Sequence, residues 1–353
     1  MRSLMLSPAT TRGASGKGFD VLRATLHEHE IRRAIGMPGE GDLVVDGVAR
    51  LDAPKDRCLY FIDHKVTIAV RDSLAARNGC IVIVRRGSAL VGALGRCCVL
   101  EVAQPRAAIA SILAFIRIER RQPPWVEVRK IAREAVISPL AVVQGNVEIG
   151  EGVVVEPFCT VGPDVVIRRR SILRAGSRVN ERVSIDEESV IGANAVVGSE
   201  GFGFVRDEAG NKTRIPHLGG IIIGSHVEIG ALSVVQYGTM SPTIIEDYAK
   251  IDDNVEVGHN ARIGRNVSVT GGVVIGGSAV IETDAWIGIN SSIRNGRRVG
   301  SRTLVGMDVS VQHDLAGNSV ARAPRPDIKV RRDDDDGTTI GFRDLSRAKP
   351  PPG

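Results

Sequence analysis

Between Ile245 and Val311 every sixth residue is a β-branched aliphatic: Ile245, Ile251, Val257, Ile263, Val269, Ile275, Ile281, Ile287, Ile293, Val299, Val305 and Val311. Ordinary strand alternation loses phase at each loop and does not keep a six-residue step over so long a stretch. A coil of three hexapeptides per turn does, because each anchor points into the same triangular interior. The step also runs upstream, through Ile137, Val143, Ile149, Val155, Val161, Ile167, Leu173, Val179, Ile185, Ile191 and Val197. It breaks at Ser199 to Ile222, resumes at Ile223, Ile229 and Val235, and slips by four residues before Ile245. Twenty-six anchors predict about nine coils, hence a prism ~43 Å long at ~4.8 Å per coil. Glycine often follows the anchor (Gly150, Gly162, Gly192, Gly258, Gly276, Gly288), where a tight turn is expected. The low aromatic content, 3%, suits an interior too narrow for rings.

Upstream the pattern is mixed. Asp20 to Arg33 reads as a short amphipathic helix and Leu43 to Ala53 as a strand. Cys58 to Ile62, Gly79 to Val84 and Cys97 to Val102 read as strands, with a helix over Val66 to Asn78 between the first two. Pro105 opens a helix through Arg121, and Pro123-Pro124 closes it. The expected fold is therefore mainly β: a left-handed parallel β-helix of hexapeptide repeats with a small N-terminal α/β domain. The expected segments are a disordered leader over 1–19, the α/β domain over 20–104, a connecting helix over 105–124, the prism over 125–325 and a disordered tail over 326–353.

Net charge is only +5, and no Lys/Arg block is interleaved with aromatics, so nucleic-acid binding is excluded as a leading function. Membrane contact is at most peripheral, since no apolar run approaches the ~20 residues of a span. Five cysteines, an odd number without a CxxC, point to reduced thiols and a cytoplasmic setting.

Two stretches interrupt the prism, Ser199 to Gly220 and Gln236 to Thr243, and loops thrown from a regular scaffold often carry function. The first has a turn at Asp207 to Asn211; solvated padding is the plain alternative for both. No GxSxG, no phosphate loop opening a helix and no short-spaced histidine set for zinc is present. His259 stands out: a neutral imidazole two residues past the Val257 anchor, with Asp252 and Asp253 one hexapeptide earlier. Such a group can take a proton from an amine or hydroxyl attacking a thioester, with a carboxylate behind it and a backbone N–H for the oxyanion. A polar corner residue bonded to a backbone carbonyl is the alternative reading of His259.

The run Lys212 to Gly220, Ile223-Gly224, Val227 to Ala231, Ile251-Asp252 and Gly258-His259-Asn260 resembles the UDP-3-O-acylglucosamine N-acyltransferase family of lipid A biosynthesis, as do Gly201 to Phe204 and Gly271 to Ser278. The resemblance covers about residues 40 to 325. It implies transfer of a 3-hydroxyacyl chain from acyl carrier protein phosphopantetheine, with no further cofactor and no metal, to the 2-amine of a UDP-linked 3-O-acylglucosamine. It implies His259 as general base, the Gly277 N–H at the oxyanion and Asp252 in support. It also implies a homotrimer with sites between neighbouring prisms, and substrate contacts from Phe61, His64, Phe202, Phe204, His217, Gln236, Tyr237, Asn260 and Arg297. Phe61 would stack on the uracil in the N-terminal domain.

Several positions depart from that family's pattern. Gln236-Tyr237 stands where the family has an Asp-Arg pair, and His64 and Thr67 replace an Asn and a Tyr of the uracil loop. Gly296, beside Arg297, replaces a second histidine, and the C-terminal helix is not legible after Val330. A coenzyme A-dependent N-acetyltransferase on another nucleotide-linked amino sugar, and a non-catalytic trimeric scaffold, are the alternative expectations.

Overall fold

A computed structural model describes residues 21–49, 51, 54–63, 66–119, 129–206 and 209–324. The expected leader, the whole expected tail, the Pro123-Pro124 helix stop, His64, and Asp207 and Glu208 of the expected turn lie outside these residues.

The N-terminal unit is a five-stranded sheet in chain order: β1 (Val21–His27), β2 (Val44–Ala49), β3 (Cys58–Ile62), β4 (Ile81–Arg85) and β5 (Cys98–Val102). β1 pairs antiparallel with β2 and the other pairs are parallel. Helices α1 (Glu28–Ala34), α2 (Ile68–Ala75) and α3 (Pro105–Glu119) complete it. The β4 sequence is apolar from Ile81 to Val84 because both faces are covered there, and it ends on the exposed Arg85. Ile81 and Ile83 pack with Ile31 of α1 and Ile109, Ile112, Leu113 and Ile116 of α3. Val82 and Val84 pack with Leu74 of α2.

The start of the unit corrects the sequence reading. Residues 20–33 are not one helix; Val21–His27 is a strand, and the helix begins only at Glu28. Leu22 and Leu26 fit a helical i, i+4 spacing, but Leu22, Ala24 and Leu26 also share one face of a strand. Pairing with β2 decides between them. The His27 N–H donates to Glu30 Oε2 at 2.9 Å, which starts the helix at that point.

From Arg129 to Ala321 the chain coils into three parallel sheets of ten, nine and nine strands. Strand partners in the regular coils are three hexapeptides apart, as in Val154 with Ile172 and Val257 with Ile275. Anchors such as Val257, Ile263, Ile275 and Ile281 are fully buried. This is the hexapeptide β-helix expected from the six-residue step. Small residues two places before the anchors, among them Ala195, Ala261, Ala279 and Ser291, fill the rest of the interior. The buried hydroxyls find backbone acceptors, Ser233 Oγ donating to Asp252 O at 2.7 Å and Ser291 Oγ to Gly306 O at 2.7 Å.

The glycines after the anchors act differently from expectation. The left-handed residue at each corner comes three places after the anchor, as at Asn254, Asn260, Asn266 and Asn290. The glycine directly after the anchor is required by close stacking of coils instead. A Cβ on Gly150 would lie 2.9 Å from the Arg169 nitrogen, and one on Gly258 only 2.6 Å from the Gly277 nitrogen.

The first loop contains a two-stranded antiparallel hairpin, Phe204–Arg206 with Lys212–Arg214. Its end returns under the N-terminal unit, where Leu218 is buried in the α3 side of the core together with Ile215 and, from the second loop, Met240. Among the described residues no helix is long and apolar enough to cross a membrane. All five cysteines are free thiols.

Candidate active site

One corner of the prism gathers the features that the sequence had scattered. Val197, Val235, Val257 and Ile275 stack in one sheet, each against the next. The first loop leaves after Val197, the second after Val235, His259 follows Val257, and Gly277 follows Ile275. Both loops, the histidine and the glycine therefore share one corner on four successive coils.

His259 is half-buried. Its backbone N–H donates to Gln236 Oε1 at 3.1 Å, and Gln236 Nε2 donates to Glu256 Oε1 at 2.8 Å. Its Nδ1 lies 3.2 Å from Asn260 Oδ1. The orientation of the Asn260 amide follows from its other bonds. Oδ1 accepts from the Thr239 N–H at 3.0 Å and the Thr239 hydroxyl at 2.9 Å, while Nδ2 donates to Ser241 O at 2.8 Å. An amide oxygen only accepts, so the proton of the neutral imidazole sits on Nδ1 and Nε2 carries the free lone pair. Asn260 is locked in turn, its own N–H donating to Thr243 Oγ1 at 2.8 Å.

The free Nε2 points at the next coil, where a Cβ on Gly277 would stand 2.4 Å from it. The Gly277 N–H donates to no group among the described residues. Burial lowers the His259 pKa from the ordinary 6.5, with a contribution from His217; the Asn260 bond opposes this without cancelling it. The ring is thus neutral at pH 7, with its basic nitrogen on the side of Gly277.

Behind His259 sits His217, 1% exposed, its ring centroid 5.1 Å from that of His259 at an interplanar angle of 63°. Glu200 stands behind His217, with Oε2 3.9 Å from Nδ1, and pairs on its other side with Arg117 of α3. Glu200 was absent from the sequence expectations; its position at the root of the first loop, one residue before Gly201, was the available signal.

The other expected residues divide. Gln236 and Asn260 contact His259, but their partners are the protein's own groups. Tyr237 is 3% exposed, with the Arg182 guanidinium 5.3 Å from its ring centroid, and burial pushes its phenol far above the ordinary range. Phe202 is 80% exposed and meets Phe204 edge-on at 5.1 Å, with the Arg214 guanidinium 4.6 Å from the Phe204 ring centroid. Arg297 lies 3.5 Å from Asp314, and its Nε is buried without a partner. Phe61, on β3, packs half-buried against the α3-side core of the N-terminal unit.

Asp252 is not brought to His259. It follows Ile251, whose strand belongs to a different sheet, so within one chain it lies at another corner and is exposed. The group that orients the imidazole is Asn260, its immediate neighbour. Among the described residues no three His, Cys, Asp or Glu side chains converge as metal ligands.

Residues 242–277 match the family model for the bacterial transferase hexapeptide (six repeats). The chain is similar to curated proteins named UDP-3-O-acylglucosamine N-acyltransferase. The one from Coxiella burnetii is 28% identical over 239 residues, 63% of this chain and 66% of that protein. The one from Bradyrhizobium diazoefficiens is 31% identical over 240 residues, 61% of this chain and 63% of that protein. The chain thus spans slightly less than two thirds of the length of these relatives. Among solved structures, UDP-N-acetylglucosamine O-acyltransferase from Moraxella catarrhalis aligns with a TM-score of 0.42 and 22% identity, over 54% of this chain and 70% of its own.

Proposed function

We propose that this chain is an N-acyltransferase that moves an acyl group, a 3-hydroxyacyl chain in the specific form, from acyl carrier protein phosphopantetheine to the 2-amine of a UDP-linked 3-O-acylglucosamine. The observation that carries the reading is the His259 imidazole, with Nδ1 held by Asn260 and the basic Nε2 facing Gly277. The names of the similar proteins supply the substrate class.

In the proposed reaction the sugar amine attacks the thioester carbon while Nε2 of His259 takes its proton. A C–N bond forms, and the carbonyl oxygen becomes an oxyanion opposite the Gly277 N–H. Collapse breaks the C–S bond, and the imidazolium returns the proton to the departing thiolate. The products are an amide and a free thiol, with no covalent intermediate on the protein.

The active form in this reading is a homotrimer. The ten-stranded sheet turns Val136, Trp286, Leu304 and Val320 outward, all exposed in the single chain, which supports an apolar contact between copies. Asp252, at a different corner from His259, would reach an imidazole only across such a contact.

Purified full chain would be incubated with UDP-3-O-acylglucosamine and 3-hydroxyacyl carrier protein, and with acetyl-coenzyme A as a second donor. N-acyl product from the carrier protein is the expected result. A folded trimer giving product only from acetyl-coenzyme A would replace the donor, and one giving none with either would overturn the reading.

A further inference from the structure

His217 is too deeply buried to touch a substrate, yet it is built into the site. It is 1% exposed, and its ring packs against the ring of His259. Glycines frame it: a Cβ on Gly201 would meet His217 Nε2 at 2.5 Å and His259 Cβ at 2.8 Å, and one on Gly203 would meet His217 Cε1 at 3.0 Å. The Gly201-Phe202-Gly203 stretch is thus shaped to let the two imidazoles come together.

On its far side His217 faces a carboxylate. Nδ1 of His217 and Oε2 of Glu200 are both buried with no hydrogen-bond partner, and they lie 3.9 Å apart. Two unsatisfied buried groups this close together are a costly arrangement unless they pair. Burial pushes the Glu200 carboxyl up, but His217 and Arg117 outweigh it and hold the group below the ordinary glutamate range. Arg117 on α3 closes the line from outside, with Arg214 of the hairpin 4.0 Å from Oε2. The other groups facing His259 are Asn260 and Gln236, the latter bonded to Glu256.

We propose that Glu200 and His217 form a positioning dyad for His259: the carboxylate fixes the buried imidazole, whose ring then holds the His259 ring in register with Asn260 and Gly277. His217 also excludes water from the back of His259, so the dyad keeps the working nitrogen unprotonated. Arg117 ties the dyad to the N-terminal unit. This deepens the general-base reading of His259 and rests on it.

The test begins without substrate. Imidazole ¹H–¹⁵N correlation spectra of the full chain are recorded across pH, with His259 assigned through His259→Gln. Wild-type His259 is expected as one tautomer, protonated on Nδ1. His217→Gln is expected to give mixed tautomers and to raise the His259 midpoint by roughly half a pH unit, since solvent enters and a neighbouring imidazole is lost. In the acyl-transfer assay kcat falls roughly 10- to 100-fold with KM little changed. Glu200→Ala is expected to act similarly, and Glu200→Gln, which keeps an acceptor oxygen, to recover most of the loss. A folded His217→Gln protein with wild-type tautomer and midpoint overturns the proposal, as does Glu200→Gln no better than Glu200→Ala. Should His217→Gln fail to fold, the two Glu200 variants decide. The spectra need no turnover, so the expected shifts in a chain that transfers no acyl group would keep the dyad and refute the acyltransferase reading.

Discussion

Gly277 lies one coil beyond His259, so close that a methyl group on it would overlap the imidazole Nε2, at 2.4 Å. The glycine is there for the histidine. Gly277→Ala is expected to push the ring off its position and lower acyl transfer by roughly 10²–10³-fold. The far-ultraviolet circular dichroism should stay that of the prism. An alanine variant with full activity would show that Nε2 is not the working nitrogen.

Asn260 joins the second loop to the corner through Thr239, Ser241 and Thr243 and fixes the tautomer of His259. It also takes a left-handed φ of 58°, which asparagine tolerates better than alanine. Asn260→Ala should cost about 3 kcal/mol, from unpaired buried groups and backbone strain together. Denaturant titration measures this, and activity should fall even at temperatures where the variant is fully folded.

The lowered pKa of His259 sets a pH dependence. The base is the neutral ring, so kcat/KM should rise with pH through a midpoint below 6.5 and be flat across neutrality. Stability follows the same group. Between the folded pKa and 6.5 the unfolded chain binds the proton more readily, so this contribution is complete above 6.5 and is lost as pH falls toward the folded value. A pH–rate profile whose acidic limb lies above 6.5 would contradict the assignment.

The two kinds of corner glycine should respond in opposite ways. Gly276 follows an anchor, and a Cβ there would stand 2.7 Å from the Asn295 nitrogen; Gly276→Ala should cost about 2 kcal/mol. Gly296 has a φ of 68° with nothing within 4 Å of a built Cβ. Asparagine already serves at the equivalent places Asn254, Asn266 and Asn290, so Gly296→Asn should be neutral or up to about 1 kcal/mol stabilising. Thermal unfolding of the pair tests the distinction.

The prism was legible because one residue in six must fill the same narrow interior, and no tertiary contact competes with that demand. The strand Cys58 to Ile62 was legible for a similar reason, being covered on both faces, while Cys97 to Val102, at the sheet edge, was legible from its run of apolar residues. The first strand was not: Leu22 and Leu26 serve either periodicity, and only pairing with β2 decides. At the site, His259 and Gly277 could be placed from the six-step count, since three hexapeptides separate them and bring them to one corner. Asp252, one hexapeptide before His259, falls at a different corner of the same chain, because each six-residue step moves the chain to the next sheet. Glu200 and the packing of His217 depend on the path of the first loop, which carries no period from which to read it.

The corner insertions have a further consequence. Ile185 pairs with Ile223 and Ile223 with Ile245, both across intervals longer than three hexapeptides, yet the stack continues in phase as though nothing had been added. The scaffold registers only where the chain re-enters, not how long it has been away. Chemistry at this corner can therefore be rewritten in length and composition without retuning the coils above and below. In such a protein, new specificity arises by lengthening an excursion, while the load on the scaffold stays constant.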